Sequence, residues 1–258
     1  MTTASGIERL RAIMRTLRSE QGCPWDRKQT LQSLKPYIIE EAYEVVEAID
    51  QGKDVLENEL GDLLLQIVFV AQIAEEQGLF SFDSVADRIA DKLVRRHPHV
   101  FDTMQVKDAD EVVQNWNRIK RDKEEKQYLL DGIPTAMPAT LLAQRYADRA
   151  ASVGFDWGDW RDILVKIAEE TAELREAAEA GDKEQTFHEM GDILAAVVNL
   201  ARKLGINAEE ALRHCALRFR ERFNKMEEID PTITDGTHSL DDLEALWQRA
   251  KQELGKKQ

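Results

Sequence analysis

The chain has 258 residues, 43% of them hydrophobic and 33% charged, with a formal net charge of −14. That balance fits a folded aqueous protein, and the acidic excess excludes general binding to nucleic-acid phosphates. No apolar run approaches the roughly 18 residues of a membrane span. The opening MTTASGIERLRAIMRTLRSE also lacks the apolar centre of a signal peptide. Two cysteines, Cys23 and Cys215, are too few for a disulfide framework and suit a reducing, cytoplasmic setting.

Ile7, Leu10, Ile13, Met14 and Leu17 recur at helical spacing and predict a helix over about 5–20. Gly22-Cys23-Pro24-Trp25-Asp26 reads as a loop. A second helix opens near Thr30, carries Glu41 and Glu44 beside the stripe Ile38, Ala42, Val45 and Ile49, and ends at Gly52. Asp54 is placed to cap the next one, which carries Glu59 and Asp62 and runs to Gln77-Gly78. Ser81 or Asp83 caps a further helix bearing Lys92, Arg95 and Arg96, which His97-Pro98-His99 stops. Residues 108–126 read as a polar helix with Val112, Val113, Trp116 and Ile119 on one side.

Asp131 to Pro138 combines two prolines with a glycine and reads as a linker between domains at 1–130 and 139–258. Beyond it, helices are expected over 139–152, 159–180, 182–203, 207–229 and 240–254. Gly154-Phe155-Asp156-Trp157 forms a loop among them, and residues 231–238 form a break. Period-two alternation is nearly absent, so the expected fold is all-α.

Within 159–203 the charges are patterned. Glu169, Glu170 and Glu173 precede a turn at Gly181-Asp182, and Glu189 and Asp192 follow it. Residues three or four apart share a helix face. If the chain folds back at Gly181, the pairs Glu170/Glu173 and Glu189/Asp192 sit level on facing helices. Four carboxylates at one level repel unless a cation lies among them. Oxygen-only ligands favour Mg²⁺ or Mn²⁺. Solvated charge on an amphipathic hairpin is the competing reading for any one such pair.

The same order of features occurs earlier. Glu40, Glu41 and Glu44, then Gly52, then Glu59 and Asp62 repeat the acidic pattern. Basic pairs follow in both halves (Lys92/Arg96 and Arg218/Arg222), and then Trp-x-x-x-Lys (Trp116/Lys120 and Trp247/Lys251). Packing repeats apolar patterns, but it does not demand the same acidic, basic and aromatic residues in the same order. Carboxylates that hold a cation, cations that hold phosphate oxygens and an aromatic surface together suit a nucleoside polyphosphate. The basic pair is equally consistent with ion pairs to Glu221 or Glu227, and Trp247 with a place in the core. A di-iron carboxylate bundle would need Glu-x-x-His, and no histidine here has a glutamate three residues before it. A non-catalytic helical nucleotide-binding or interaction scaffold is the alternative from another class.

Four motifs carry a resemblance: Gly22-Cys23-Pro24-Trp25-Asp26, the Glu40–Glu44 run, Glu59-Leu60-Gly61-Asp62-Leu63-Leu64, and Arg95-Arg96-His97-Pro98-His99-Val100-Phe101. Together they closely resemble the bacterial MazG nucleoside triphosphate pyrophosphohydrolases over nearly the whole chain. The resemblance implies a tandem of two all-α helical-bundle domains and a homodimer. It implies Mg²⁺-dependent hydrolysis of ribo- and deoxynucleoside triphosphates to monophosphate and pyrophosphate, with housekeeping and stress-response roles. It places activity in the C-terminal domain and metal ligands at Glu170, Glu173, Glu189 and Asp192. Glu41, Glu44, Glu59 and Asp62 form a second such set. Nucleotide contacts map to Lys166, Glu169, Arg218, Arg222, Trp247 and Lys251. Glu169, just outside the ligand set, is the choice for orienting the attacking water.

Overall fold

The structure is a computed structural model and describes residues 5–104, 106–108, 111–112 and 128–255. All regular structure among the described residues is helical, as expected, with no strand. The helix expected over 108–126, with Trp116, Ile119 and Lys120, lies almost wholly outside the described residues. The chain divides into two compact units, Met1–Glu124 and Glu125–Gln258.

In the first unit, α1 (Gly6–Arg18) starts from a capping box in which Ser5 and Glu8 exchange hydrogen bonds. The segment read as a loop instead contains a short helix, α2 (Pro24–Lys28). Pro24 at its start presets φ and lacks an N–H that would be unpaired there anyway. Helix α3 (Lys35–Gln51) begins later than expected. Thr30 and Ser33 each accept the other's backbone N–H, at 3.2 and 2.9 Å, and hold the preceding turn.

Gly52 alone joins α3 to α4 (Lys53–Glu76), with φ 114° and ψ 173°, a conformation essentially reserved for glycine. Gly52 is therefore the N-cap. Asp54, expected as the cap, lies inside the first turn, where its charge favours the helix dipole. Ser81 caps α5 (Phe82–Arg96). His97-Pro98 ends that helix as expected, and a four-residue α6 (Pro98–Phe101) follows. Met14, Leu34, Val68, Phe69 and Ile73 form the core, with Leu10, Tyr37 and Phe82 packed on it. Arg18 pairs with Glu76 at 2.7 Å and donates to the carbonyls of Asp26 and Gln29.

The second unit holds α7 (Ala139–Ala151), α8 (Trp160–Ala180), α9 (Lys183–Lys203), α10 (Ala208–Ile229), a 3₁₀ turn (Pro231–Asp235) and α11 (Leu240–Gly255). Asp159, Asp182 and Asn207 cap α8, α9 and α10 by accepting from Arg161, Gln185 and Glu210. Ahead of α7, Arg149 donates to the carbonyls of Leu129 and Asp131, and Ile133 is buried. The stretch around Asp131 thus rests against this unit. The Asp156 loop is tied to the far end of α9, where Arg202 and Lys203 both bond its carboxylate. Met226, Ile233 and Ala250 form a core between α10 and α11, with Trp247 against it.

Candidate active site

Helices α8 and α9 form an antiparallel pair folded at Gly181, whose φ of 74° lets the chain close α8 in the left-handed region. Glu170 lies in the middle of the α8 face turned inward with Ile163 and Ala177, and Glu189 points back at it from α9. Both are only 6% exposed. Glu173, one turn beyond Glu170, is exposed. Oxygens of Glu170, Glu173 and Glu189 lie within 4.8 Å of one another.

The fourth expected ligand is placed differently. Asp192 is exposed and is not in that group of three. The same three-residue step keeps Glu173 with Glu170, so helical spacing alone does not account for the difference. The structure thus gathers three of the four predicted carboxylates and leaves Asp192 exposed outside the group.

Among the described residues, Lys166 is the cation paired with these acids. Lys166 Nζ sits 2.8 Å from Glu169 and 2.7 Å from Glu170. Its hydrogen bonds to Glu169 and then Glu170 hold the ammonium charged well above its usual range. The Lys166 hydrogen bond in turn holds Glu170 below the ordinary carboxylate value, against its own burial. Desolvation, then the charges of Glu189 and Glu170, push Glu173 up.

Gln185, which sequence reasoning passed over, donates its side-chain amide to Glu189 Oε1. Glu189 Oε2 is buried and has no hydrogen-bond partner among the described residues. A buried acceptor without a donor is costly, and a cation bound among the three acids would satisfy it. The donor set is all oxygen, so the residues fit a hard divalent ion such as Mg²⁺ or Mn²⁺. A cleft of about 400 Å³ opens beside them, lined by Glu173, Glu176, Ala177, Asp182, Gln185 and Glu189.

The remaining predicted contacts form a second group. Arg222 lies 5.5 Å above the Trp247 ring, and Phe219 packs 5.2 Å from it. Trp247 also packs against the α10–α11 core, as the core reading of this residue expects. Arg218 and Lys251 are exposed. None of Arg218, Arg222, Trp247 and Lys251 bonds or pairs with the three carboxylates among the described residues.

The first unit repeats the arrangement. Oxygens of Glu41, Glu44 and Glu59 also lie within 4.8 Å of one another, and Asp62 again falls outside the group. The partner here is Gln66, whose amide donates to Glu41 Oε1 at 3.3 Å. Gln66 is buried and its own Oε1 lacks a partner among the described residues. Desolvation, then Glu44, raise the Glu41 carboxyl.

A family model described as the MazG nucleotide pyrophosphohydrolase domain matches the chain twice, over residues 29–101 and 161–229. Each span contains one of the two carboxylate groups. The chain is 43% identical over 251 residues to the nucleoside triphosphate pyrophosphohydrolase/pyrophosphatase MazG of Thermotoga maritima, covering 95% of each. It is 43% identical over 260 residues to the nucleoside triphosphate pyrophosphohydrolase of Escherichia coli K12, covering 96% of this chain and 97% of that one. The Bacillus subtilis uncharacterized protein YabN is 45% identical over 248 residues, 94% of this chain and 51% of its own length. Alignments of such coverage span both repeats.

Proposed function

The chain belongs to the MazG family of nucleotide pyrophosphohydrolases, and from that premise we propose that it hydrolyses nucleoside triphosphates to monophosphate and pyrophosphate at Glu170, Glu173 and Glu189. The observation that carries this assignment is the unpartnered buried Glu189 Oε2 among three converging carboxylates. Ribo- and deoxynucleoside triphosphates are both proposed as substrates. Residues 139–258 are proposed as the catalytic domain, joined through 131–138 to residues 1–130.

A divalent cation bound there, Mg²⁺ by preference and Mn²⁺ in its place, would supply charge for the phosphate oxygens and would activate water. Glu170, Glu173 and Glu189 would hold it, with Asp192 proposed as the fourth ligand. Glu169, held by Lys166 beside the site, orients water for in-line attack at the α-phosphorus. Lys166 then has phosphate oxygens to pair with as well as carboxylates. Arg218, Arg222 and Lys251 are proposed to meet the outer phosphates and Trp247 the base.

A homodimer is the proposed assembly. Phe187, Met190, Leu194 and Val197 form an uncovered apolar stripe along α9, with Phe187 78% exposed, and such a stripe calls for a covering surface. No helix among the described residues is long and apolar enough to cross a membrane, and both cysteines are free. The cytoplasm is the proposed location.

Incubating purified protein with each nucleoside triphosphate and Mg²⁺ is expected to give monophosphate and pyrophosphate, and chelation is expected to stop it. Release of diphosphate and orthophosphate would overturn attack at the α-phosphorus. Undiminished turnover after chelation would remove the metal centre. Light scattering of the same sample is expected to give the dimer mass, and a monomer would discard the assembly.

A further inference from the structure

The two repeats keep the same three carboxylates but surround them differently. Glu170 and Glu173 correspond to Glu41 and Glu44, and Glu189 to Glu59. On the first helix, Lys166 corresponds to Tyr37, which packs on the core and lies edge-on to Trp25 at 6.0 Å. On the second helix, Gln185 corresponds to Val55. Valine has no donor to offer Glu59.

The turn explains how Gln185 comes to face Glu189. Asp182 is the N-cap of α9 and Gln185 is its third residue, where a capping-box amide would fold back to the N-cap backbone N–H. That N–H is already taken, because Asp182 N donates to Ala177 O at 3.0 Å in closing α8. The Gln185 side chain is thereby free to reach forward one turn and donate to Glu189 Oε1. With one Glu189 oxygen fixed from outside, the other is turned into the cluster without a partner among the described residues. In the first repeat the turn is Gly52 alone, one residue shorter.

We propose that Gln185 is the positioning residue for Glu189, and that this bond, absent where Val55 stands, makes the second cluster the tighter divalent-cation site of the two. The inference rests on the metal reading above and adds to it a residue that touches neither cation nor substrate. A residue bonded to a metal ligand typically controls about 10- to 100-fold in metal affinity, and Gln185 is exposed, so its replacement leaves the packing intact.

The test uses the full chain carrying Glu59→Gln, which disables the first cluster, and titrates Mn²⁺ calorimetrically. Gln185→Val and Gln185→Leu are each expected to weaken Mn²⁺ binding about tenfold with the metal-free melting temperature unchanged. Hydrolysis by both variants is expected to recover as Mn²⁺ is raised, which a folding defect would not allow. Affinity within twofold of the Glu59→Gln parent in both variants would overturn the assignment. So would an affinity loss matched by a fall in metal-free melting temperature. A parent that binds no Mn²⁺ at all would strike the metal centre itself, an outcome distinct from either.

Discussion

Replacing Glu189 by Gln is expected to lower nucleoside triphosphate hydrolysis by more than about a hundredfold, beyond the range typical of residues that only support a ligand, while the metal-free protein keeps or gains stability. The two effects have one cause. Glu189 is nearly fully buried beside Glu170 and Glu173, and Lys166 is the only cation bonded to the group among the described residues. Buried like charges raise the free energy of the metal-free fold. An amide of the same shape removes one charge and can donate to a neighbouring carboxylate. It also removes a ligand, so in a chain whose first cluster is disabled by Glu59→Gln stabilisation by Mg²⁺ should vanish. The parent should gain about 2.7 kcal/mol at a hundred times the dissociation constant. Melting curves with and without Mg²⁺, beside the rate, decide it. Hydrolysis within a few fold of the parent would move the site elsewhere.

Asp156→Ala is expected to cost about 2 kcal/mol, the scale of a lost hydrogen bond to a buried charged group. Such a loss is roughly 6–10 °C in melting temperature for a unit of this size. The Arg202 side chain is 10% exposed and that of Asp156 24%, so the alanine leaves a largely buried guanidinium short of its counter-charge. Lys203 loses its 3.0 Å partner as well.

The pH dependence has a definite sign. Burial pushes the Asp156 carboxyl up, but hydrogen bonds from Arg202, Lys203 and the Trp157 backbone outweigh it and hold the net value below the ordinary aspartate range. A depressed carboxyl contributes its stability in full above its unfolded value and loses it as pH falls through the folded one. The gap between parent and variant should therefore be widest near neutrality and close in strong acid. Equal gaps at both ends would assign the loss to packing rather than charge.

The positions of the long helices and the Ser81 cap were legible because each rests on local chemistry. Ser5, Ser81, Asp159, Asp182 and Asn207 cap the helices that follow them, and Gly181 closes α8 as its lack of a side chain allows. Convergence of Glu170, Glu173 and Glu189 followed from helical spacing and a turn at the midpoint. Asp54 was misplaced because a one-residue turn made Gly52 the cap, a choice set by α3 and α4 together. That Asp192 stays outside the group was not legible, because the same three-residue spacing holds Glu173 within it. Gln185 left a faint signal in Asp182-x-x-Gln185, but that pattern suggests a backward-folded amide. Only the bond from Asp182 N to Ala177 O shows why it points forward.

The ties between loop and helix end bear on the carboxylates from a distance. In each unit the turn joins the two acidic helices at one end. At the other, a charged clasp binds the end of the second helix to the segment that precedes the first: Arg18 to Glu76 and the Asp26 carbonyl, or Asp156 to Arg202 and Lys203. The pair is thus a beam built in at both ends, and such a beam resists shear along its length. One residue of slip between α8 and α9 would carry Glu189 about 1.5 Å past Glu170, which is large against the tolerance of a Mg²⁺ coordination sphere. Residues that never approach the cation therefore govern its geometry through the stiffness of the frame.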